Sequence, residues 1–479
     1  MNKHPMKKQS FLTFSLALLF GGTLWAQQKQ YTLQECVELA LENNITIRQN
    51  QLEYASAEID KRTAFANFLP SINANANHSW NIGLNQNITT GLLENVTTQF
   101  SSAGINMGVD VYGGKQNFNQ LHRANLALLA RQYQLADISD DISLLVANGY
   151  LQIMFNQEIL GVQKAQLAVS NNDLKRTKEL IASGVLTIAD NLELEATIAT
   201  QEQAVVQAEN NLRLAKINLA QLLNITDYED FAIEMIDVAV PFSEVMGESP
   251  KAIYVKSLSF RNDIKLADTN VEIAETDIAL AKGNMQPRLS AFYGYSTRLS
   301  YADRLRGTGE FTDVPIGFVR STGEVVNTRV EEREVVAPLP IADQLGLNDG
   351  HNFGIQLSIP IFNAFSAKNN LKRSRINLER TKNQKEQQQL DLETNINQAY
   401  NDAKGAFTFY EAAQRTSQTR LNAFENAQKR FEAGVLNSFD YAQIKQRYEA
   451  AVSDEVRAKY DYIFKLKVVE FYFGVPLSI

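Results

Sequence analysis

Two aspartates stand at the same place in two copies of one short motif. The stretch SGVLTIAD ends at Asp190 and the stretch AGVLNSFD ends at Asp440. Each aspartate follows a capping residue type, Thr187 or Asn437, by three positions, which is the spacing of a helix N-cap with an acid one turn later. The glycine earlier in each copy permits the left-handed backbone that ends a helix sharply. The motif therefore predicts two tips of helical hairpins, with both carboxylates available to cap a helix.

No other residues have the spacing of a catalytic or metal site. The histidines His4, His78, His122 and His351 are scattered, and the methionines do not cluster. The sequence contains no phosphate-binding loop, no HExxH motif and no nucleophile motif. We therefore expect no catalytic residues, no cofactor and no bound metal.

The elements that carry the two tips are copies of each other. Gly184 and Gly434 are 250 residues apart, and this offset holds over a long span. It pairs Gly104 with Gly354, Ile105 with Ile355, Leu121 with Leu371, Arg123 with Arg373, and Tyr150 with Tyr400. Upstream the offset is 217, where Ala57, Glu58, Asp60, Ala64 and Pro70 match Ala274, Glu275, Asp277, Ala281 and Pro287. The chain is one unit used twice, with 33 additional residues between Pro287 and Gly354 in the second copy.

The first 26 residues have the pattern of a secretory signal peptide. A basic start precedes the apolar stretch FLTFSLALLF and a small residue at Ala26. The apolar stretch is shorter than the roughly 20 residues that span a membrane. The single cysteine, Cys36, has no disulfide partner and lies about ten residues past the expected cleavage site. We expect it to be a buried apolar residue and the protein not to be lipidated.

The charge balance argues against a nucleic-acid partner. The net charge of −8 becomes about −11 once the lysines of the signal peptide are removed, whereas nucleic-acid binding requires basic patches. We predict three parts after residues 1–26: a first repeat at 27–224, a connector at 225–254 and a second repeat at 255–479.

Four stretches alternate between apolar and polar residues over ten or more positions. They predict strands at about 71–85 and 101–112 in the first copy and at about 289–301 and 351–362 in the second. Such lengths favour a membrane β-barrel over a soluble β-sandwich, whose strands are usually shorter. The predicted lipid-facing residues are Ile72, Trp80, Leu84, Ile355, Leu357 and Ile359. Four strands cannot close a barrel, so the pattern predicts a homo-oligomer.

Helical patterns fill most of the remaining sequence. Residues 113–183 and 363–433 predict helices of about 100 Å, each followed by a shorter returning arm, which gives helical hairpins at 113–224 and 363–474. In the first arm a coiled-coil seam is expected from Val205, Ala208, Leu212, Ala215, Leu219 and Leu222. Helices at 32–68 and 255–286 are expected to stack end to end with the arms. The stretch 302–351 has no sustained period and is predicted to be an exposed loop.

This pattern resembles the TolC-type outer-membrane channels, which serve tripartite efflux and type I secretion. The resemblance covers the mature chain and rests on the repeat, the tip turns, the strand endings VDVYGG and IPIFNAF, and the opening ALENN. It implies an α+β membrane protein of TolC-like fold, with coiled-coil hairpins in an α-barrel and four strands per subunit of a trimeric twelve-stranded β-barrel. It also implies a Gram-negative outer membrane, with the helices in the periplasm and the loops at 86–100 and 302–351 facing outside.

The resemblance also gives roles to the tip residues. Gly184, Val185, Leu186, Gly434, Val435 and Leu436 would form the docking tips for a periplasmic adaptor, although glycine turn chemistry alone is an alternative. Asp190, Glu193, Asp440 and Gln443 occupy the acidic positions of the periplasmic entrance, although the two aspartates are equally explained as helix caps. The tyrosine and arginine that close the entrance in some members are Phe431 and Leu436 here, so that polar latch is not expected.

The sequence thus predicts a passive homotrimeric duct without enzyme activity for the efflux of small molecules. Its partners would be outer-membrane lipid, the periplasmic adaptor and, through it, an inner-membrane pump. Two alternatives remain at this point: a type I protein-secretion duct of the same fold, and a periplasmic coiled-coil structural protein without a pore.

Overall fold

The computed structural model describes residues 30–87, 91–184, 187–236 and 243–475. The predicted signal peptide at 1–26 and the tip residues Val185 and Leu186 lie outside the described residues. The chain divides into two units. The helical unit comprises the described residues of Met1–Leu52, Gln134–Ile264 and Gln388–Ile479, and the strand unit comprises those of Glu53–Tyr133 and Lys265–Gln387.

The two repeats share a succession of two helices, two strands, a long helix and a shorter helix, and the second has an additional strand pair and short helix between its two strands. The first contains β1 (Gln30–Tyr31), α1 (Leu33–Asn43), α2 (Ile45–Ala66), β2 (Ser71–Gln86), β3 (Leu93–Gly113), α3 (Gln116–Ala182) and α4 (Ile188–Leu222). After β4 (Ala232–Ile233), the second contains α5 (Pro250–Phe260), α6 (Asn262–Gly283), β5 (Arg288–Ser300), β6 (Arg304–Phe318), β7 (Val325–Val336), α7 (Ile341–Leu347), β8 (Asp349–Ser358), α8 (Ser366–Glu432) and α9 (Ser438–Phe473).

The strand unit contains an antiparallel sheet with the order β2-β3-β5-β8. All four predicted strands are present and lie in this one sheet. Across the sheet Ile72 pairs with Met107, Met107 with Tyr293, and Tyr293 with Phe353, and the β3–β5 register shifts once, between Asp110 and Tyr112. Because side chains alternate between faces along a strand, these residues share one face across the sheet. The apolar and polar residues that alternate in the sequence therefore form the two opposite faces of one sheet.

Two predictions about the strand ends were wrong. β3 begins at Leu93, so most of the predicted 86–100 loop is strand, paired with β2 from Gln86↔Leu93 onward. β8 ends at Ser358, which places Ile359 beyond the strand. Pro360 explains this end, because proline has no N–H to donate to a ladder hydrogen bond.

The predicted loop at 302–351 is mostly ordered structure. β6 and β7 form a separate two-stranded antiparallel sheet, and α7 follows it. The hairpin Arg304–Val336 spans 33 residues, the same number by which the repeat offset changes. The prediction failed because β6 is exposed along its whole length. Without a buried face, no apolar alternation is required of the sequence.

Both long helices have 67 residues, and the returning arms have 35 and 36. The predicted continuous helices at 32–68 and 255–286 are each interrupted once, at Asn44 and Arg261. These residues are 217 apart and have nearly the same backbone angles, φ/ψ −63°/130° and −62°/133°. The two repeats therefore break their helices at corresponding residues. No helix among the described residues is both long and apolar enough to cross a membrane.

The core of the helical unit lies along α3. The predicted seam residues of α4 pack there, and Val205, Ala208, Leu212, Ala215 and Leu219 are buried. Asn44 donates from Nδ2 to the carbonyl of Leu222 at 3.0 Å, so α2 starts where α4 ends. This contact confirms the predicted end-to-end arrangement in the first repeat. Cys36 is fully buried in the same core, as expected. The connector is more ordered than predicted, because β4 pairs in parallel with β1.

Candidate functional site

The second hairpin tip is a Schellman turn built around Gly434. Its φ of +73° is in the left-handed region, where a side chain would be strained. The N–H of Gly434 donates to the carbonyl of Phe431 at 3.0 Å, and the N–H of Val435 donates to that of Arg430 at 2.9 Å. These two bonds satisfy the last carbonyls of α8. The predicted chain reversal thus lies at Gly434.

The first tip has the same geometry as far as Gly184, the last described residue before 185–186. Gly184 has a φ of +77°, and its N–H donates to the carbonyl of Ile181 at 2.9 Å. The described chain resumes at Thr187, directly before α4.

Both predicted aspartates take part in helix capping. The backbone N–H of Thr187 donates to Oδ2 of Asp190 at 3.0 Å, and the Thr187 hydroxyl donates to the same oxygen at 2.7 Å. At the second tip the N–H of Asp440 donates to Oδ1 of Asn437, and Nδ2 of Asn437 donates to Oδ2 of Asp440, both at 2.8 Å. Helix capping is therefore observed at both tips, and it is compatible with a further role for the charges of the two aspartates.

The first tip also contacts the second one. The hydroxyl of Ser438 donates a hydrogen bond to Oδ1 of Asp190. This bond, followed by those from Thr187, lowers the pKa of Asp190 below its ordinary value. Asp190 is therefore a carboxylate at neutral pH. Glu193 and Gln443, the other two predicted entrance residues, are exposed one helical turn further along α4 and α9.

An exposed apolar surface surrounds the tips. Val435 is 69% exposed, while Leu436 is partly buried. Sequence reasoning missed three further apolar residues that share this exposure: Ile188 (71%), Leu192 (61%) and Phe439 (70%). Their signal was available, since Ile188 and Leu192 lie four residues apart in the first turns of α4, where a solvated helix start would carry polar residues. We call Ile188, Leu192, Val435 and Phe439 the tip patch.

A buried polar cluster lies about three to four helical turns from the tips. Lys445 is only 6% exposed and donates from Nζ to Asp173 Oδ2 at 2.7 Å and to Ser170 Oγ at 2.9 Å. Glu449 lies 4.0 Å from the same Nζ and accepts a hydrogen bond from Gln201 at 3.2 Å. Desolvation raises the pKa of Glu449, although Lys445 opposes this effect. The cluster joins α3 to α9 through charged groups and α4 to α9 through the amide of Gln201.

An aromatic stack lies beside the second tip, at one of the two positions where some family members carry the polar latch. The rings of Phe431 and Tyr441 are 4.6 Å apart and nearly parallel, at 7°. Tyr441 is buried, and its hydroxyl lies 3.5 Å from Asp173. Burial, followed by the charge of Asp173, raises the pKa of Tyr441, so its hydroxyl stays protonated.

The sheet of the strand unit has one apolar and one polar face. The apolar face carries five of the six predicted lipid-facing residues, and they are exposed: Ile72 (67%), Trp80 (59%), Leu84 (70%), Ile355 (75%) and Leu357 (60%). The opposite face carries Asn73, Asn75, Asn106, Asn352 and Gln356. Nδ2 of Asn106 donates to Oδ1 of Asn75 at 3.1 Å across two strands. β2 and β8 are the outer strands of this sheet.

Within the described ranges, no group of three or more His, Cys, Asp or Glu side chains is placed to hold a metal ion. Most of the chain, residues 36–224 and 253–467, matches the family described as outer membrane efflux protein. The chain belongs to this family. It is 24% identical over 315 residues to the outer membrane protein TolC of Vibrio cholerae, covering 65% of this chain and 68% of that protein.

Solved structures of outer-membrane channels show the same fold. The crystal structure of CusC, described in relation to transmembrane channel formation, has a TM-score of 0.74 at 17% identity and covers 93% of this chain and 92% of that one. The outer membrane protein VceC of Vibrio cholerae has a TM-score of 0.72 at 15% identity, with coverage of 93% and 97%. The predicted resemblance and TolC-like fold are thereby confirmed, and the outer membrane efflux family accounts for the long helices and the two-faced sheet.

Proposed function

We propose that the protein is a passive homotrimeric export duct in the outer membrane of a Gram-negative bacterium, with its helices in the periplasm and without catalysis of its own. It would release small molecules that an inner-membrane pump delivers through a periplasmic adaptor docked on the helical tips. The observation that carries this proposal is the two-faced sheet with exposed surfaces on both sides. Contact of the apolar face with lipid and of the asparagine-rich face with a water-filled lumen would explain why side chains on both faces of the sheet are exposed.

The height of the apolar face fits a membrane. From Leu289 to Leu299 the β5 residues on this face span ten positions, about 34 Å along the strand at 3.4 Å per residue. At the tilt of about 40° found in membrane barrels, this is about 26 Å of height, close to their apolar band of about 25 Å. The strand pattern therefore favours a duct over a pore-less coiled-coil protein, which would need no such face.

One end of the apolar band carries the residue types of a membrane interface. His78 bonds to Ser101 at 2.6 Å, Ser101 bonds to Tyr301 at 3.0 Å, and the ring of Trp80 lies 4.2 Å from that of His78. The next residues of β3 on the same face are polar, Gln99, Thr97 and Asn95, whereas Ile82 and Leu84 of β2 remain apolar. Trp and Tyr collect at the boundary between hydrocarbon and headgroups because one part of each ring is apolar and another is polar. We infer that Trp80 and Tyr301 belong to the aromatic girdle of the barrel.

Closing the barrel requires more than one chain. β2 and β8 end the sheet, and an open strand edge in hydrocarbon leaves backbone groups without hydrogen bonds. Four strands per chain are fewer than the eight of the smallest bacterial barrels, so neighbouring chains must supply the rest. Three chains would give the twelve strands of the family.

The duct is tested by single-channel conductance of the purified mature protein in a planar bilayer. We expect stable cation-selective channels, because Asp190 and Asp440 would place carboxylates at the entrance. The Asp190→Ala/Asp440→Ala double variant should lose part of this selectivity. Unchanged selectivity would restrict both aspartates to helix capping and leave the duct intact. Folded protein that inserts into lipid without conducting would refute the duct.

The docking role of the tips is tested by surface variants of the tip patch. Phe439→Ser and Ile188→Ser remove exposed apolar area without disturbing a core, so conductance should persist. Binding to an adaptor of the same organism should weaken by about tenfold, since each removes a side chain that a partner would bury. Phe318→Ser is the matched control, because Phe318 is 74% exposed in the β6–β7 hairpin, far from the tips in the sequence. Equal adaptor binding by all three variants would exclude the tip patch as the docking surface.

A further inference from the structure

The short helix α7 packs in the opposite sense to an ordinary amphipathic helix. Its one buried residue is the polar Gln344, which is 6% exposed, whereas Ile341 is 53%, Leu345 40% and Leu347 68% exposed. A helix in water would bury the apolar side chains and expose the glutamine, because apolar surface in contact with water costs free energy. The packing of α7 therefore favours an apolar surrounding for its outer side.

Hydrogen bonds fix α7 at the end of β5 that is far from α6. The side chain of Gln344 accepts from the N–H of Ser300 at 2.8 Å and donates to the carbonyl of Ser300 at 3.0 Å. Asn348, directly after α7, donates from Nδ2 to the carbonyl of Arg298 at 2.7 Å. These bonds satisfy backbone groups of β5 beyond its last pair with β8, which is at Asp349. The exposed apolar residues therefore belong to a helix with a defined position.

An apolar groove lies between α7 and the sheet. It has a volume of about 340 Å³, and Ala76 of β2, Ala103 of β3, Leu299 of β5 and Leu345 of α7 line it. Thr297 also lines the groove, but its hydroxyl already donates to the carbonyl of Leu345 at 3.3 Å. The two alanines leave space that larger side chains would fill. The groove therefore offers mostly apolar contacts to an occupant.

Neutral polar side chains lie at one end of the groove. His78 and Ser101 are part of its lining, and their side chains are 2.6 Å apart. Ser101 Oγ lies 3.0 Å from the hydroxyl of Tyr301, and Nε2 of Gln99 lies 3.0 Å from Nε2 of His78. Hydroxyl and amide groups can donate and accept further hydrogen bonds. This set suits the hydroxyl and amide groups of a sugar better than a headgroup that consists of a phosphate ester alone.

From the exposed apolar side of α7 and the groove beside it we propose a lipid-binding site, which rests on the outer-membrane location of the proposed function. One acyl chain of lipopolysaccharide lies in the groove, and the sugar to which it is attached bonds to His78, Ser101 and Tyr301. Ile341 and Leu345, one helical turn apart on α7, contact the neighbouring hydrocarbon. The site thus holds a single lipid of the outer leaflet in a defined position.

The level of the groove in the membrane supports this occupant. β5 starts at Arg288, shortly after α6, so this end of the strand is the periplasmic one. Thr297 is nine positions further along, about 31 Å of strand, or about 23 Å of height at a tilt of about 40°. The groove therefore lies near the outer limit of an apolar band of about 25 Å. The outer leaflet of a Gram-negative outer membrane consists mainly of lipopolysaccharide, and the groove opens onto the apolar face that contacts it.

Retention of lipopolysaccharide by the protein purified from outer membranes tests the site. Ala103→Trp fills the groove. Ala291→Trp is the matched control, because Ala291 is on the same face of the sheet, six positions or about 20 Å of strand from Thr297, the partner of Ala103. After detergent exchange, native mass spectrometry should find about one lipopolysaccharide per chain on the unmodified protein and on the control, and at least tenfold less on Ala103→Trp.

A second variant keeps the test valid if Ala103→Trp does not fold. Leu345→Asp places a charge at the exposed rim of the groove and leaves the hydrogen bonds of Gln344 in place, so it should show the same loss of lipopolysaccharide. Retention by this variant equal to that of the control would count against the site. Retention of a phospholipid in place of lipopolysaccharide would refute the assigned headgroup.

Single-channel conductance of the same samples separates failure of the site from failure of the duct. If the unmodified protein conducts but retains no lipopolysaccharide, or if all variants retain it equally, the lipid site is wrong and the duct stands. If the protein inserts into lipid without conducting, the duct is wrong, and retention by Ala103→Trp and Ala291→Trp still decides the site. If the folded protein does not insert at all, the proposed function and the lipid site both fail.

Discussion

The hydroxyl of Ser438 donates a hydrogen bond to the carboxylate of Asp190, although 248 residues separate them in the chain. This bond links the start of α9 to the start of α4, directly behind the two chain reversals. A residue that caps one helix therefore also holds the neighbouring tip. Asp190 therefore caps α4 and contacts the start of α9 through the same carboxylate.

Removing that hydroxyl should loosen the tips selectively. The Ser438 bond is the largest cause of the lowered pKa of Asp190, so Asp190 stabilises the folded tip above its ordinary pKa of about 3.8, and this stability is lost as the pH falls through the folded value. In Ser438→Ala the folded pKa moves back up and the bond is lost. We expect severalfold faster amide exchange in residues 187–192 and 437–442, after correction for the intrinsic rate, with global stability changed by less than about 1 kcal/mol.

Ser453→Ala provides the control for this change. Its hydroxyl bonds only within α9, to the carbonyl of Glu449 at 3.1 Å. Equal exchange in both variants would mean that the link to Asp190 does not hold the tips together.

The cluster around Lys445 should depend on its cation. Lys445→Ala leaves Asp173 and Glu449 close together with little solvent, which costs about 3 kcal/mol by analogy with other broken buried pairs. Protonation of Glu449 relieves the repulsion, so the loss of stability should be smaller at pH 5 than at pH 7.5. Denaturant unfolding at the two pH values measures this difference. Lys459→Ala is not a suitable control because it is also partly buried, whereas Lys382→Ala, in an exposed pair with Glu379, should have no effect.

A carboxylate beside the second helix break should destabilise the protein at neutral pH. Burial, followed by the charge of Asp263, raises the pKa of Asp137 to about 6, and Asp140 and Asp141 add to this while Arg261 opposes it. The folded state therefore binds the proton more tightly than the unfolded one, and stability falls as the pH rises from about 4 to about 6. Asp137→Asn should be more stable at pH 7.5, by about 1 kcal/mol, and should show no gain below pH 4.

Thermal or denaturant unfolding across this pH range checks the effect. Asp454→Asn is the control, because Asp454 is exposed and its contact is an i,i+3 pair with Arg457. A constant difference between Asp137→Asn and the unmodified protein from pH 4 to pH 8 would exclude a shifted pKa at this site.

The junction between β3 and α3 should not accept a side chain. Gly114 has a φ of +65°, and a Cβ there would lie 2.5 Å from the carbonyl oxygen of Gly283. Gly114→Ala should therefore destabilise the protein by about 2–4 kcal/mol, since the clash is with backbone and the conformation is strained. Gly161→Ala, in the open middle of α3, should instead stabilise it by about 0.5–1 kcal/mol. A folded yield of Gly114→Ala equal to that of Gly161→Ala would contradict this.

The features that the sequence predicted are those in which local chemistry and packing agree. The strands were visible because each had one apolar and one polar face, and the tips were visible because Gly434 and Asn437 are required by a reversal and a cap. The repeat extends to backbone conformation, since Lys115 and Phe365, 250 residues apart, share a left-handed backbone with φ of +62° and +61°. Neither residue type favours this conformation, so it was not predictable from the sequence.

What escaped prediction depends on distant contacts or on the absence of packing. The break at Asn44 is stabilised by a bond to Leu222, 178 residues away, which no local pattern encodes. At Arg261 the same break is held differently, by Asp263 at 2.9 Å and the ring of Tyr472 at 5.4 Å. The tip patch was underestimated because Phe439 belongs to a helical pattern that would ordinarily be assigned to a core.

Among the described residues the β6–β7 hairpin occurs only in the second repeat, whereas each repeat contains one tip. A ring of n chains would therefore carry 2n quasi-equivalent helical tips but only n copies of the β6–β7 hairpin. Labels attached at Phe318 and at the two tips should be incorporated in a ratio of one to two. Because a longer surface connection costs little loop-closure entropy, lineages of this family are free to gain, lose or diversify the hairpin without disturbing the duplicated scaffold.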